Sequence, residues 1–427
     1  MFRLKTLWLA ALLTACGPNP PAPVQIMALI PSEAGTLETR QVELKTVGNV
    51  TTLKGDVVEF IGSPRVVVDA NDPLQTNGIE NLTDQQRYDV LVKDKGADVR
   101  GHYVDRSGVL WPADFHTWNM VSAYYNFERS YEYFNDIYDG VDPKELRPLK
   151  VMYWADVKLN GADQLQDNAL YLSFIKSFVL TPFQNAQLVP LPMNIGIIGH
   201  ETAHRVFNFR VLEDQGIHPA LTRWTIVPFN LLKSLDEGLA DYHGYSVTCF
   251  EAANCRPNFL AASIDDSRTV GFRNVGRVDA CMDETTRQAF LNFNNSQWVT
   301  SPEMYKVGNL IAASLYQAGN RTAKEDVLRK ALILAYDDES PTNPGLRQFV
   351  KNNLNTPENF TPENVVNIIV SHVTDPDLKK ELCTQFTTRM QLRCSSFPCE
   401  VNGLPSMRAC PSTARREMFC PTLPPQP

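Results

Sequence analysis

The chain reads as α+β: a β-rich N-terminal part, a mainly α-helical C-terminal part, and a cleft between two lobes. Three observations predict this. Residues Gln41 to Ala70 carry short Val-rich runs, Val57-Val58-Glu59-Phe60 and Arg65-Val66-Val67-Val68-Asp69, divided by Gly and Pro breaks in the manner of strands. Around His200 the apolar residues fall at helical spacing, with Ile195, Ile197 and Ile198 before it and Val206, Phe207 and Phe209 after it. Further on, Thr356-Pro357-Glu358 and Thr361-Pro362-Glu363 each set an N-cap, a proline and an acid in helix-start order, the second leading into Val365 to Val373. A length of 427 residues suits two or three domains.

At the N-terminus, Arg3 and Lys5 precede the apolar run Leu7 to Leu13, the layout of an export signal over residues 1–15. Leu13-Thr14-Ala15-Cys16 resembles the bacterial lipobox, which implies cleavage before Cys16 and acylation of that cysteine. The resemblance implies a lipoprotein of the bacterial cell envelope, held to a membrane by its acyl chains. Gly17 in the place where inner-membrane retention calls for Asp implies the outer membrane. Residues 16–30, with the Pro-rich Gly17 to Pro23, read as a tether, and 31–105 as the β-rich region. No other segment approaches the length of a membrane-spanning helix.

The formal net charge of −8 becomes −10 once Arg3 and Lys5 leave with the signal. That balance, with no basic cluster interleaved with aromatics, argues against nucleic acid as a partner. Nine cysteines suit an oxidising compartment. Apart from Cys16 they form two odd groups, Cys249, Cys255 and Cys281, then Cys383, Cys394, Cys399, Cys410 and Cys420. Full oxidation therefore requires at least one bridge between the groups. Residues 381–427 read as an irregular, disulfide-stapled Cys/Pro-rich tail.

The chemistry centres on His200-Glu201-Thr202-Ala203-His204. On a helix, HExxH brings two imidazoles to one face, one turn apart, and sets a carboxylate beside them. That is an arrangement for holding a catalytic zinc ion and moving a proton from a water molecule. The alternative is a core helix whose two histidines are satisfied by their neighbours. A catalytic zinc takes three protein donors. The metzincin layout would need Gly at 207 and His at 210, where Phe207 and Arg210 stand. Downstream, Ser234-Leu235-Asp236-Glu237-Gly238-Leu239-Ala240-Asp241 sets Glu237 and Asp241 four residues apart on one helical face. Asp236 is the rival donor. Ser234-x-x-Glu237 also reads as a capping box.

HETAH followed by DEGLADYHG resembles the gluzincin metallopeptidases, in particular the thermolysin and fungalysin families. The resemblance implies a two-lobed zinc peptidase of endopeptidase type acting on peptides or proteins, with residues 106–380 as its catalytic region. It implies that His200, His204 and Glu237 hold Zn2+, that Asp241 orients His200, and that Glu201 is the general base. Ala123 to Phe134 resembles the aromatic helix that precedes such a site, and Leu149 to Ala155 the following strand, with Lys150 to Trp154 similar to the sheet edge along the cleft. Asn168 and Ala169 resemble the Asn-Ala stretch that holds the substrate backbone, Asn168 being otherwise an ordinary turn residue. Tyr305 stands where the family helix carries a histidine that bonds the oxyanion, and its phenol can donate the same bond; otherwise it is a half-buried residue near a helix start. His218 and His243 are further nearby imidazoles. Asp265-Asp266 and Asp337-Asp338-Glu339 are candidates for Ca2+ or solvated loops. The alternative function is a lipid-anchored binding or scaffold protein with a catalytically silent peptidase fold.

Overall fold

The computed structural model describes residues 23–390 and 392, apart from 32–35, 70, 73, 76–77, 139–145, 162–163, 185–187, 214–225, 251–256, 264–270, 272, 278–279 and 281–301. The signal, Cys16, His218, Cys255, Asp265-Asp266, Cys281 and the cysteines from Cys394 onward lie outside the described residues. The N-terminal half is β-rich. β1 (Val24–Pro31) pairs antiparallel with β2 (Leu37–Leu44) along its whole length. The tether expected over 16–30 therefore gives way at Val24. Val24, Ile26 and Ala28 are buried in alternation, and that inward-facing face is what makes the segment a strand.

β3 (Val47–Asn49), β4 (Lys54–Gly55), β5 (Val58–Gly62) and β6 (Arg65–Val68) realise the Val-rich runs. A short helix α1 (Asp84–Leu91), opened by a Thr83/Gln86 capping box, leads into β7 (Val92–Asp94), β8 (Tyr103–Arg106) and β9 (Val109–Pro112). Helix α2 (Phe115–Ile137) starts where the Asp114 carboxylate accepts the Thr117 N–H at 2.8 Å, and it buries Tyr124, Phe127, Tyr133 and Phe134. β10 (Leu149–Tyr153), β11 (Asp156–Leu159), β12 (Ala169–Leu172) and β13 (Ser177–Leu180) complete the strands. They form sheets ordered β2-β1-β9-β8, β12-β13-β10-β5-β4-β3 and β11-β6-β7. The strand read as a sheet edge, β10, is instead interior, parallel to both β5 and β13. Its continuous apolar run Val151-Met152-Tyr153 is buried, as a strand flanked on both sides requires. The edge is β12.

The C-terminal half is helical: α3 (Ile195–Phe207), continued by a π turn over Asn208–Leu212, then α4 (Ile226–Cys249), α5 (Pro302–Thr322), α6 (Glu325–Asp337), α7 (Leu346–Asn353), α8 (Pro362–Ser371) and α9 (Pro376–Met390). Thr361 caps α8 as expected, its hydroxyl accepting the Asn364 N–H. The Thr356-Pro357-Glu358 start yields only a 3-10 turn over Pro357–Asn359. Pro362 forces Thr361 into extended backbone (φ −111°, ψ 152°), which stops any helix before it. The tail boundary drawn at 381 falls inside α9.

The main hydrophobic core runs unbroken from Val24 on β1 to Met390 on α9, so both halves share it. A smaller cluster around Val66, Met152, Val157 and Val179 lies between the sheets of the N-terminal half. Cys249 and Cys383 each take part in a disulfide. Among the described residues no helix is long and apolar enough to cross a membrane.

Candidate metal centre

Two glycine contacts bring α3 and α4 together. A Cβ at Gly244 would lie 2.7 Å from the Gly196 carbonyl oxygen and 3.1 Å from the His200 Cβ, and one at Gly199 would lie 2.9 Å from Val247. Without side chains at these points the helices approach closely, and the histidine face of α3 meets the carboxylate face of α4. α3 begins at Asn194, whose side chain accepts the Gly196 N–H at 2.9 Å.

His200 and His204 turn their Nε2 atoms toward each other at 3.0 Å. Glu237 Oε2 stands 3.5 Å from the first nitrogen and 3.6 Å from the second. That oxygen is buried and takes no hydrogen bond. The other ring nitrogens face carboxylates: His200 Nδ1 is 3.0 Å from Asp241 Oδ1, and His204 Nδ1 is 2.8 Å from Asp236 Oδ1. Each imidazole thus has one nitrogen fixed by a carboxylate and the other aimed at a common point, the arrangement metal-bound histidines adopt. Four donors at bonding distance from zinc in a tetrahedron lie ~3.3 Å apart, which the three separations match. Among the described residues this trio is the one group of three or more His, Cys, Asp or Glu side chains that converge so closely.

Charge points the same way. The buried carboxylates of Asp236, Glu237 and Asp241 face two cations, Lys233 and Arg273, which leaves one negative charge when the imidazoles are neutral, and an ionised Glu201 beside them makes two. A divalent cation balances them. Burial opposes charge on His204, yet Asp236 and Glu237 override it and hold its pKa up at about 10 in the metal-free chain. Burial likewise works against charge on Glu237, where His204 and Lys233 prevail and keep the carboxylate well below its ordinary range. On Asp241 burial is outweighed by Arg273 and His200.

Glu201 lies beside this cluster. Burial pushes its carboxyl above the usual range, and its Oε2 accepts the Tyr171 N–H of β12 at 2.7 Å. Tyr305 lines the same cavity, of about 730 Å³. The negative charge of Glu237, followed by burial, raises its phenol, so it stays protonated. A Cβ at Gly238 would meet the Gly308 carbonyl oxygen at 2.4 Å, so α4 and α5 cross at bare backbone, and that crossing sets Tyr305 next to Glu237.

Asn168 lies where β12 begins. Its N–H donates to Thr181 Oγ1 at 2.8 Å, its carbonyl accepts the Thr181 N–H at 3.0 Å, and its side-chain oxygen accepts the Ala169 N–H at 2.9 Å. It is an anchor of the edge strand, bonded on its β13 side. His243 lies elsewhere, between the hydroxyls of Tyr133 and Tyr336 at 2.8 and 3.2 Å. At the proposed calcium run, Asp337 pairs with Arg210 and Asp338 with His372, and no cluster of three forms there. The capping-box reading of Ser234 and Glu237 fails because α4 already begins at Ile226.

Two residues, Lys233 and Arg273, escaped the sequence reading, and Asp236, read as the rival donor, backs His204 instead. With Ala240 at its i+4 position, Asp236 has no partner there on its own helix and finds one on α3. Lys233 was legible as an i,i+4 mate of Glu237. Arg273 left no signal. It reaches Asp241 Oδ1 at 2.6 Å from a non-periodic stretch, passes 3.3 Å from the His200 ring and lies 4.6 Å over Tyr305. Arg389 and Gln317 hold that stretch by its carbonyls at Arg277, Ala280 and Gly276.

No protein-family model and no curated protein matches the chain. Among solved structures it is similar to the precursor of protealysin, a metalloproteinase from Serratia proteamaculans, at 13% identity and a TM-score of 0.42, over 77% of this chain and 87% of that one.

Proposed function

We propose that this chain is a zinc-dependent peptidase of the gluzincin type, anchored to the bacterial envelope through a lipid on Cys16. The observation that carries the reading is the convergence of His200 Nε2, His204 Nε2 and the unbonded Glu237 Oε2 on one point. Bound there, zinc would polarise a carbonyl and lower the pKa of a water molecule to about 7. Glu201 takes the proton of the attacking water and delivers it to the departing amine. A carboxyl raised by burial suits both halves of that task. Tyr305, held protonated, donates to the oxyanion.

The substrate lies along β12. The Tyr171 N–H points away from β13 toward Glu201, so the backbone groups of Ala169 and Tyr171 share the open edge of the strand. With the two N–H groups taken by Asn168 and Glu201, an extended peptide adds there by donating to the edge carbonyls, beside the general base and in the cleft between β12 and the helices. Asn168 holds the edge from both sides, its backbone bonded to Thr181 and its side-chain oxygen taking the Ala169 N–H on the open side. The lipobox-like Leu13-Thr14-Ala15-Cys16 supports the anchor.

The test is a digest of a mixed peptide library by the wild type, with and without chelator, beside Glu201→Gln. The expected result is chelator-sensitive cleavage that the variant loses by ~10²–10⁴-fold while retaining its zinc. Zinc-loaded wild type that cleaves nothing would instead support the silent scaffold. Undiminished cleavage by the variant would remove Glu201 as the base.

A further inference from the structure

Glu237 and Asp236 face the same problem. Each has two oxygens, and only one is used toward the histidines. Glu237 directs Oε2 at the two Nε2 atoms, and Asp236 directs Oδ1 at His204 Nδ1. The remaining oxygens, Glu237 Oε1 and Asp236 Oδ2, both lie 3.5 Å from the ammonium of Lys233. Among the described residues Lys233 is the only side chain that reaches either of them. It stands one helical turn before Glu237 on α4 and three residues before Asp236, so a single long side chain folded along the helix spans both carboxylates.

From this geometry we propose that Lys233 is a positioning residue, which selects the single oxygen that each carboxylate presents to the metal centre. The proposal rests on the zinc reading above. A carboxylate is free to swing both oxygens onto a cation. An ammonium drawn to the outer oxygen opposes that swing, keeps Glu237 a one-oxygen donor, and leaves a coordination position for water and substrate. Asp236 is held in the same way, so the His204 ring keeps the orientation in which its Nε2 faces Glu237. The ammonium lines the cavity and is only partly exposed, its side chain retaining 24% accessibility, so solvent screens these contacts less than it would on an open surface.

Metal affinity alone is a poor test, because removing a positive charge close to a cation favours binding even as orientation is lost. The coordination mode is the sharper readout. Cobalt(II) replaces zinc in the full-length protein, and its visible absorption is strong for a four-coordinate ion and weaker for a five-coordinate one. The expected result is a loss of band intensity in Lys233→Met as Glu237 gains its second contact, with the band retained in Lys233→Arg. A folded Lys233→Met whose cobalt band matches the wild type would overturn the role of Lys233 alone. If that variant does not fold, Lys233→Gln carries the same comparison. A wild type that takes up neither cobalt nor zinc would overturn the metal reading, and the role of Lys233 with it.

Discussion

Helix α4 carries ionisable groups on two faces, and they are satisfied in opposite ways. Toward α3 it presents Asp236, Glu237 and Asp241, which meet His200 and His204 in a buried cluster whose charges do not cancel and whose Glu237 Oε2 takes no hydrogen bond. Toward α2 and α6 it presents His243, whose two nitrogens meet the hydroxyls of Tyr133 and Tyr336. Burial, with a smaller push from Arg329, drives that imidazole down to about 3, so it stays neutral with one nitrogen donating and the other accepting. The second network closes on itself and serves the fold. The first stays open by one cation. Burial is common to both, so what separates a functional cluster from a structural one here is whether its polar groups are used up by one another.

The largest expected effect breaks this contrast at its open end. Glu237→Ala removes one of three protein donors, and zinc affinity measured by chelator competition should fall by more than the ~100-fold that loss of an outer partner can produce. His243→Ala, on the closed face of the same helix, should keep its zinc while lowering the unfolding midpoint. Equal zinc loss in both variants would mean that the two faces are not independent.

Next in size are the carboxylates behind the rings. Asp241→Asn and Asp236→Asn should each weaken zinc by ~10–100-fold, the range for partners that orient a ligand. Zinc affinity unchanged in Asp236→Asn would show that His204 needs no carboxylate behind it.

The open face was more legible in the sequence than the closed one. HExxH and Glu237-x-x-x-Asp241 are local patterns, each written within one turn of one helix, and the helical period alone places their side chains together. The β-rich first half and the helix start at Thr361 are local too, being matters of alternation and capping. What could not be read depends on contacts between distant segments. Asp236 finds His204 only because Gly244 and Gly199 let α3 and α4 touch. Arg273 arrives from a stretch with no periodicity, and β10 is interior only because β13 flanks it. The end of helix formation at Thr361 was local but missed, since the restriction that Pro362 imposes acts on the residue before it.

The crossing of α4 and α5 tests whether the open face depends on helix spacing. Gly238→Ala puts a methyl group 2.4 Å from the Gly308 carbonyl oxygen, which is backbone and cannot swing aside. The helices must separate, at a cost of about 1–3 kcal/mol. Because Glu237 is the adjacent residue and Tyr305 sits on α5, thermal stability and catalytic rate should fall together. A full loss of stability with an unchanged rate per folded molecule would mean that the spacing serves packing only.

The smallest effect belongs to the closed face and is read through pH. His243 has a folded pKa of about 3, against about 6.5 for an imidazole in an unfolded chain. The folded state therefore binds no proton at this site where the unfolded state does, and stability falls as pH drops below the unfolded value. The contribution is whole above pH 6.5 and declines progressively toward pH 3, reaching about 2 kcal/mol of loss at pH 5. Acid also affects the histidines and carboxylates of the open face, so the wild type alone cannot isolate this group. Chelator-stripped wild type and His243→Gln, unfolded in urea at pH 7 and pH 5, share every other titrating residue. The variant will be less stable at both pH values, having lost hydrogen bonds to Tyr133 and Tyr336, but its stability should decline less between them by about 2 kcal/mol. An equal decline in the two proteins would show that His243 takes up a proton within the fold, which a hydroxyl-bounded imidazole with no carboxylate partner has little means to do.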